Sequence, residues 1–154
     1  MFAYFCQKKL NMKKLMIYSF AFFMLGASVS SCSKYEEGPN FALSTKKSRL
    51  IGEWKLTKQT ENGTDNNLTN VTTTLSIKDD ATFYYKIAYS VLGIPYTIDY
   101  SGKWEFNSDK TQVLFTEDGQ TSITNQTIVR LAADELKLRE IDGNDTIVST
   151  YQPQ

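Results

Sequence analysis

The sequence predicts an all-β fold, a small eight-stranded up-and-down antiparallel barrel. Three observations carry this reading. Apolar and polar residues alternate strictly over Thr97-Ile98-Asp99-Tyr100-Ser101-Gly102-Lys103-Trp104-Glu105-Phe106, the mark of a strand with one buried face. Turn signals rich in Asn, Asp and Gly recur at strand-length intervals from Asn62-Gly63 to Asp142-Gly143-Asn144-Asp145. Only residues 46–50 read as a helix, short enough to plug one end of a barrel.

Between the turns lie eight runs, at about 51–60, 69–77, 81–90, 96–106, 110–116, 121–131, 135–141 and 146–152. Phe83, Tyr85, Ile87 and Tyr89 alternate as clearly as the run through Trp104, and Val71, Thr73, Leu75 and Ile77 do so more weakly. Eight strands joined by short links close into a barrel without exposed edges; an open sandwich and an incomplete barrel are the competing architectures. Up-and-down order places the links near 61–68, 91–95, 117–120 and 142–145 on one rim, and the helical plug with the remaining turns on the other.

Ahead of this domain (residues 48–154), the chain reads as a leader and a tether. Met12-Lys13-Lys14, the apolar run from Leu15 to Leu25 and Val29-Ser30-Ser31-Cys32 make a basic region, a hydrophobic region and small residues before a cleavage point, so residues 1–31 are expected to be a signal peptide that starts in truth at Met12. The last four of these residues resemble the lipobox of bacterial lipoproteins. That resemblance implies a lipidated Cys32 carrying palmitate-type acyl chains as the mature N-terminus and membrane anchor. Residues 32–47, with Gly38-Pro39 among charged residues, read as a flexible tether. Within it Lys34, Glu36 and Glu37 resemble the export signal that sends Bacteroidetes lipoproteins to the exterior of the outer membrane; retention on its periplasmic face is the alternative.

Charge narrows the partners. The whole chain balances 17 basic against 17 acidic residues, but Lys8, Lys9, Lys13 and Lys14 fall in the leader, leaving 13 against 17 and a net −4. A mildly acidic domain lacks the basic face a nucleic-acid partner requires. The only cysteine besides Cys32 is Cys6, also in the leader, so stability must come from core burial.

A family resemblance rests on three segments. Arg49-Leu50-Ile51-Gly52-Glu53-Trp54-Lys55-Leu56 is similar to the start of a lipocalin-like (calycin) domain, and Ile77-Lys78-Asp79-Asp80-Ala81-Thr82-Phe83 and Tyr100-Ser101-Gly102-Lys103-Trp104-Glu105-Phe106 fit the lipocalin-like domains of Bacteroidetes lipoproteins. The resemblance implies that Gly52 and Trp54 close one barrel end. Lipocalins often stack a late Arg on that Trp, and Arg130 and Arg139 are the candidates here.

Catalysis finds little support. There is no histidine for a Ser-His-Asp or His-metal arrangement, no cofactor or metal motif, and no thiol once Cys32 is acylated. The expected role is a binding module, not an enzyme. Its candidate rim is Tyr85, Tyr89, Leu92, Ile94 and Tyr96, because Val91-Leu92-Gly93-Ile94-Pro95-Tyr96 is apolar where a polar loop is expected. The occupant would be a small hydrophobic molecule. The alternative is a solid barrel, filled by aromatic rings, whose rim docks a protein in a surface complex. Asp145-Thr146-Ile147 also resembles a Bacteroidetes O-glycosylation acceptor, with the glycan on Thr146.

Overall fold

The computed structural model describes residues 35–39 and 43–154. The leader, Cys32 and Lys34 lie outside the described residues. A short helix, α1 (Lys46–Leu50), leads into nine strands: β1 (Gly52–Glu61), β2 (Thr64–Asp65), β3 (Val71–Ile77), β4 (Thr82–Val91), β5 (Ile94–Phe106), β6 (Gln112–Glu117), β7 (Ile123–Leu131), β8 (Leu136–Asp142) and β9 (Asp145–Pro153). All pair antiparallel in sequence order, and β1 pairs with β9 to close the barrel. The eight expected strands are present. The ninth, β2, is a two-residue extension of the turn at Asn62-Gly63 that folds back on β1.

Closure is uneven along the barrel. At the lower end β1 pairs with β3 from Gly52↔Ile77 to Lys55↔Thr74. Above Lys55 it leaves β3 and takes β2 as neighbour instead, at Thr60↔Asp65 and Glu61↔Thr64. On the opposite side β5 pairs with β6 only from Gly102↔Glu117 to Phe106↔Val113, while its pairing with β4 continues to the hairpin tip at Val91↔Ile94. The β4–β5 hairpin therefore projects above the barrel. Gly102 sits where it leaves the wall: a Cβ there would lie 2.0 Å from the Thr116 carbonyl oxygen and 2.8 Å from the Phe83 ring, so only glycine lets β6 and Phe83 approach this closely.

Inward-facing side chains fill the lower half. Leu50, Trp54, Ile77, Trp104, Val113, Leu131 and Leu136 are buried there, with Phe106 packed edge-on against Trp104 at 5.5 Å between ring centroids. Two indoles pin the plugged end. Trp54 Nε1 donates to the Leu50 carbonyl at 2.9 Å, tying β1 to α1, and Trp104 Nε1 donates to the Lys78 carbonyl at 2.9 Å, tying β5 to the β3–β4 turn. Each satisfies the single polar group of a buried indole. Arg130 and Arg139 do not stack on Trp54; they pair on the outer wall with Glu135 and Glu36. The arginine at the plugged end is Arg49 of α1, whose guanidinium donates to the Leu131 carbonyl.

Residues 35–39 are docked on that outer wall instead of forming part of a free tether. Tyr35 is buried and its hydroxyl donates to the Lys110 carbonyl at 3.0 Å. A bulge between Ile128 and Arg130 displaces Val129 from the β7–β8 ladder, and the Val129 carbonyl accepts from the Glu37 N–H at 2.9 Å. Glu36 forms a two-pronged pair with Arg139 at 2.7 and 3.0 Å, which holds the Glu36 carboxyl below its usual range, and Glu37 pairs with Lys137.

Trp54 is 3% exposed, so Trp54→Ala removes the largest side chain under the plug and frees the Leu50 carbonyl. The expected cost is about 3–5 kcal/mol, read from denaturant midpoints at unchanged slope. A loss under about 1 kcal/mol contradicts the plug.

Candidate functional site

Above the filled half, the barrel holds a cavity of about 250 Å³ that opens upward. Its floor is Leu75, Phe83 and Phe115, the two rings meeting edge to face at 5.0 Å. Inward parity on the strands carries polar groups one step higher. On β9, Tyr151 and Ser149 follow each other inward; on β1, Gln59 faces Ser149 and donates to its hydroxyl at 3.2 Å; on β8, Glu140 follows the buried Leu136 and Leu138; on β6, Glu117 follows Phe115. Gln126 of β7 donates to Glu140 Oε2 at 2.8 Å.

A phenol pair spans the cavity wall. Tyr151 is buried, and desolvation, reinforced by Tyr85 and the Glu140 charge, pushes its phenol far above the ordinary value of about 10. Burial also raises Tyr85, opposed by hydrogen bonds to Tyr151 and Thr73. Both phenols stay neutral at physiological pH and act as hydrogen-bonding groups. Of the two interiors the sequence left open, a ligand-sized cavity and a solid barrel, the upper half has the cavity, with Ser149 and Thr124 in its wall beside the phenols.

The five rim residues do not form one site. Tyr85 lines the cavity, with Tyr100 beside it at 6.3 Å between centroids. Tyr89 and Tyr96 stack at 5.5 Å higher on the same face of the hairpin. Leu92 and Ile94 lie at its tip, 98% and 56% exposed, six to seven residues beyond Tyr85 and therefore about 20 Å along the strand. A molecule filling the cavity cannot touch them. Nor is Val91–Tyr96 a loop: Leu92-Gly93 alone make the turn, with φ of 53° and 81°, and Ile94 and Pro95 are already in β5. Two positive φ values suit a hairpin turn that matches strand twist, but leucine there costs about 1–2 kcal/mol. Sequence reasoning missed Glu117, Glu140, Gln59 and Gln126 because it assigns charged and amide residues outward. Parity with Phe115, Leu138 and Ile128 was the available signal for Glu117, Glu140 and Gln126; Gln59 had none, because the irregularity between Leu56 and Lys58 shifts β1 off the parity of Trp54 and Leu56.

Gly52 and Trp54 stand at the plugged end, and Thr146 is partly covered in β9, its N–H donating to Asn62 Oδ1 at 2.9 Å. Among the described residues no group of His, Cys, Asp and Glu could hold a metal ion, and no helix is long and apolar enough to cross a membrane.

The sequence pattern of the lipocalin-like domain matches residues 50–138, from the plug to the eighth strand. The chain belongs to the lipocalin-like domain family. No curated protein matches it by sequence. Similar solved structures include bovine odorant-binding protein in complex with a selenium-containing odorant (12% identity, 76% of this chain and 78% of that one, TM-score 0.45). Others are a redesigned β-barrel (15% identity, 74% and 99%, TM-score 0.46) and Japanin from Rhipicephalus appendiculatus bound to cholesterol (12% identity, 71% and 79%, TM-score 0.45).

The Tyr151 phenol gives this lipocalin-like barrel a pH signature. Its folded pKa lies above its unfolded value, so above about pH 10 the unfolded chain gives up a proton that the folded chain keeps. Stability is then expected to fall by as much as about 1.4 kcal/mol per pH unit. Tyr151→Phe should flatten that decline, leaving the smaller contributions of Tyr85 and of Tyr35, whose phenol burial pushes up to about 12. Urea titrations from pH 8 to 11 check it, and parallel declines in the two proteins contradict it.

Proposed function

We propose that the chain is a lipid-anchored binding module that holds a small amphipathic molecule in the upper barrel. The observation that carries this reading is the cavity, apolar at its floor and hydrogen-bonding at its wall, as ligand pockets are. At about 250 Å³ it is smaller than most pockets for drug-sized ligands, so the ligand is small. The hydrophobic occupant suggested by the sequence is narrowed accordingly: its apolar end rests on Phe83 and Phe115, and its other end meets amides and carboxylates.

Anchoring rests on the Cys32 motif. The reading places the domain on the outer membrane through acyl chains on Cys32, facing the exterior, with the periplasmic face as the other arrangement. Each buried CH₂ of an acyl chain contributes about 0.8 kcal/mol, and more than one chain makes attachment stable. Cys32→Ala is expected to release the protein from the membrane fraction or mislocalise it; unchanged membrane fractionation with an unprocessed N-terminus refutes the anchor.

A second reading gives the β4–β5 hairpin a protein partner. Strained and fully exposed, Leu92 serves neither the turn nor the core. In a two-residue hairpin the pair Val91/Ile94 exchanges both hydrogen bonds, so the carbonyl of Pro95 and the N–H and carbonyl groups of Thr97 and Asp99 point away from β4, toward an edge that β6 does not cover. An extended strand of a partner fits such an edge.

Two variants separate these readings. Thr124→Trp places an indole in the cavity and should reduce the affinity of 2-phenylethanol, a small neutral aromatic probe, at least tenfold by calorimetry, with little change in melting temperature. Leu92→Ser with Ile94→Ser should leave that affinity within twofold and cost under about 0.5 kcal/mol. No binding of the probe to the unaltered chain, or binding indifferent to Thr124→Trp, overturns the cavity reading.

A further inference from the structure

The cavity's charge is one-sided. Glu140 and Glu117 line it, and no Lys or Arg does. The ion pairs of the described residues, which join Lys47 to Asp79, Lys58 to Asp65, Arg130 to Glu135, Lys137 to Glu37 and Arg139 to Glu36, include neither of them. The outer wall thus matches its charges, whereas the interior holds carboxylates answered only by the Gln126 amide at 2.8 Å from Glu140. Glu140 is half-buried and Glu117 exposed at the cavity mouth, and their attraction for a cation strengthens as a bound ligand displaces water from the cavity.

The surrounding groups favour the same charge. Tyr85 and Tyr100 turn their rings toward the cavity, and an aromatic face attracts a cation within about 6 Å. Gln59, Ser149 and Thr124 supply oxygen acceptors for N–H donors. An anionic ligand would meet two like charges with no cationic side chain to offset them. We propose that the cavity selects a small organic cation, a protonated amine on an apolar body, with the ammonium group held by Glu140 and Glu117 and the body seated on Phe83 and Phe115. This rests on the cavity being a binding site and adds the charge of its ligand.

Three probes of one shape test it on the full chain: 2-phenylethylamine, protonated at neutral pH, the neutral 2-phenylethanol and the anionic 3-phenylpropanoate. Calorimetry should show the amine binding at least tenfold tighter than the alcohol, with the anion weakest. Glu140→Gln keeps the size of the side chain and an oxygen acceptor for Gln126, and should remove most of the amine's advantage while leaving the alcohol within twofold. Glu117→Gln, at the more exposed position, should remove a smaller part and gives the same comparison if Glu140→Gln fails to fold. Equal affinity for amine and alcohol, or an amine preference that survives both substitutions, overturns the charge assignment and leaves the cavity reading standing. Failure of all three probes to bind overturns both.

Discussion

A strand in a sheet has two edges, and the way β1 divides its own sets the form of this molecule. Along Gly52–Lys55 one edge serves β3, while from Trp54 to Glu61 the other serves β9. Where both neighbours are present the wall is continuous, α1 covers its end, and the interior is packed with rings and branched side chains. Where β1 exchanges β3 for the two-residue β2, the upper wall loosens. The opposite side loosens at a similar level, where β5 parts from β6 at Gly102. A filled base and an open top follow from this exchange of partners, so the plug holds the shape and the upper strands are free to carry polar groups.

Much of this architecture is legible in the residues because alternation and turn chemistry act locally. Trp104, Phe106 and Lys103 announce their faces by period two, and Asn107 and Asp80 announce turns that their side chains then brace: Asn107 Oδ1 accepts from the Thr111 and Gln112 N–H groups, and Asp80 Oδ1 from Thr82. What stays hidden depends on distant partners. Nothing near Tyr35 in the chain reveals that Lys110 and Val129 will receive it, and nothing near Tyr100 shows that β6 stops two residues short of pairing with it. Leu92 hides its turn, since a leucine with positive φ violates the preference that identifies such hairpins.

The cavity was half legible for a related reason. Hydrophobic parity locates its floor, because Phe83 and Phe115 obey the rule that apolar residues face in. Its wall breaks that rule. Glu140 and Gln126 lie on inward parity and satisfy each other by a hydrogen bond across β7 and β8. Local patterning specifies a fold most faithfully where only packing matters, and departures from it gather where another demand acts on the chain. Here they gather at one level of one barrel.

The break at Gly102 also divides the molecule by its tolerance of substitution. Below it, the inward side chains Phe83, Trp104 and Phe106 are locked among neighbours from several strands, and a change of one methylene disturbs them all. Above it β5 has β4 alone for a neighbour while β3 flanks β4 as far as Val71↔Tyr89, and beyond that pair Ser90, Val91, Ile94 and Pro95 form a two-stranded ribbon, with Tyr89 stacked on Tyr96 at its base. Substitutions there cost the barrel little, so the hairpin can vary its surface chemistry while the base keeps the fold. Related chains that share this plug are free to differ most in the length and composition of that ribbon.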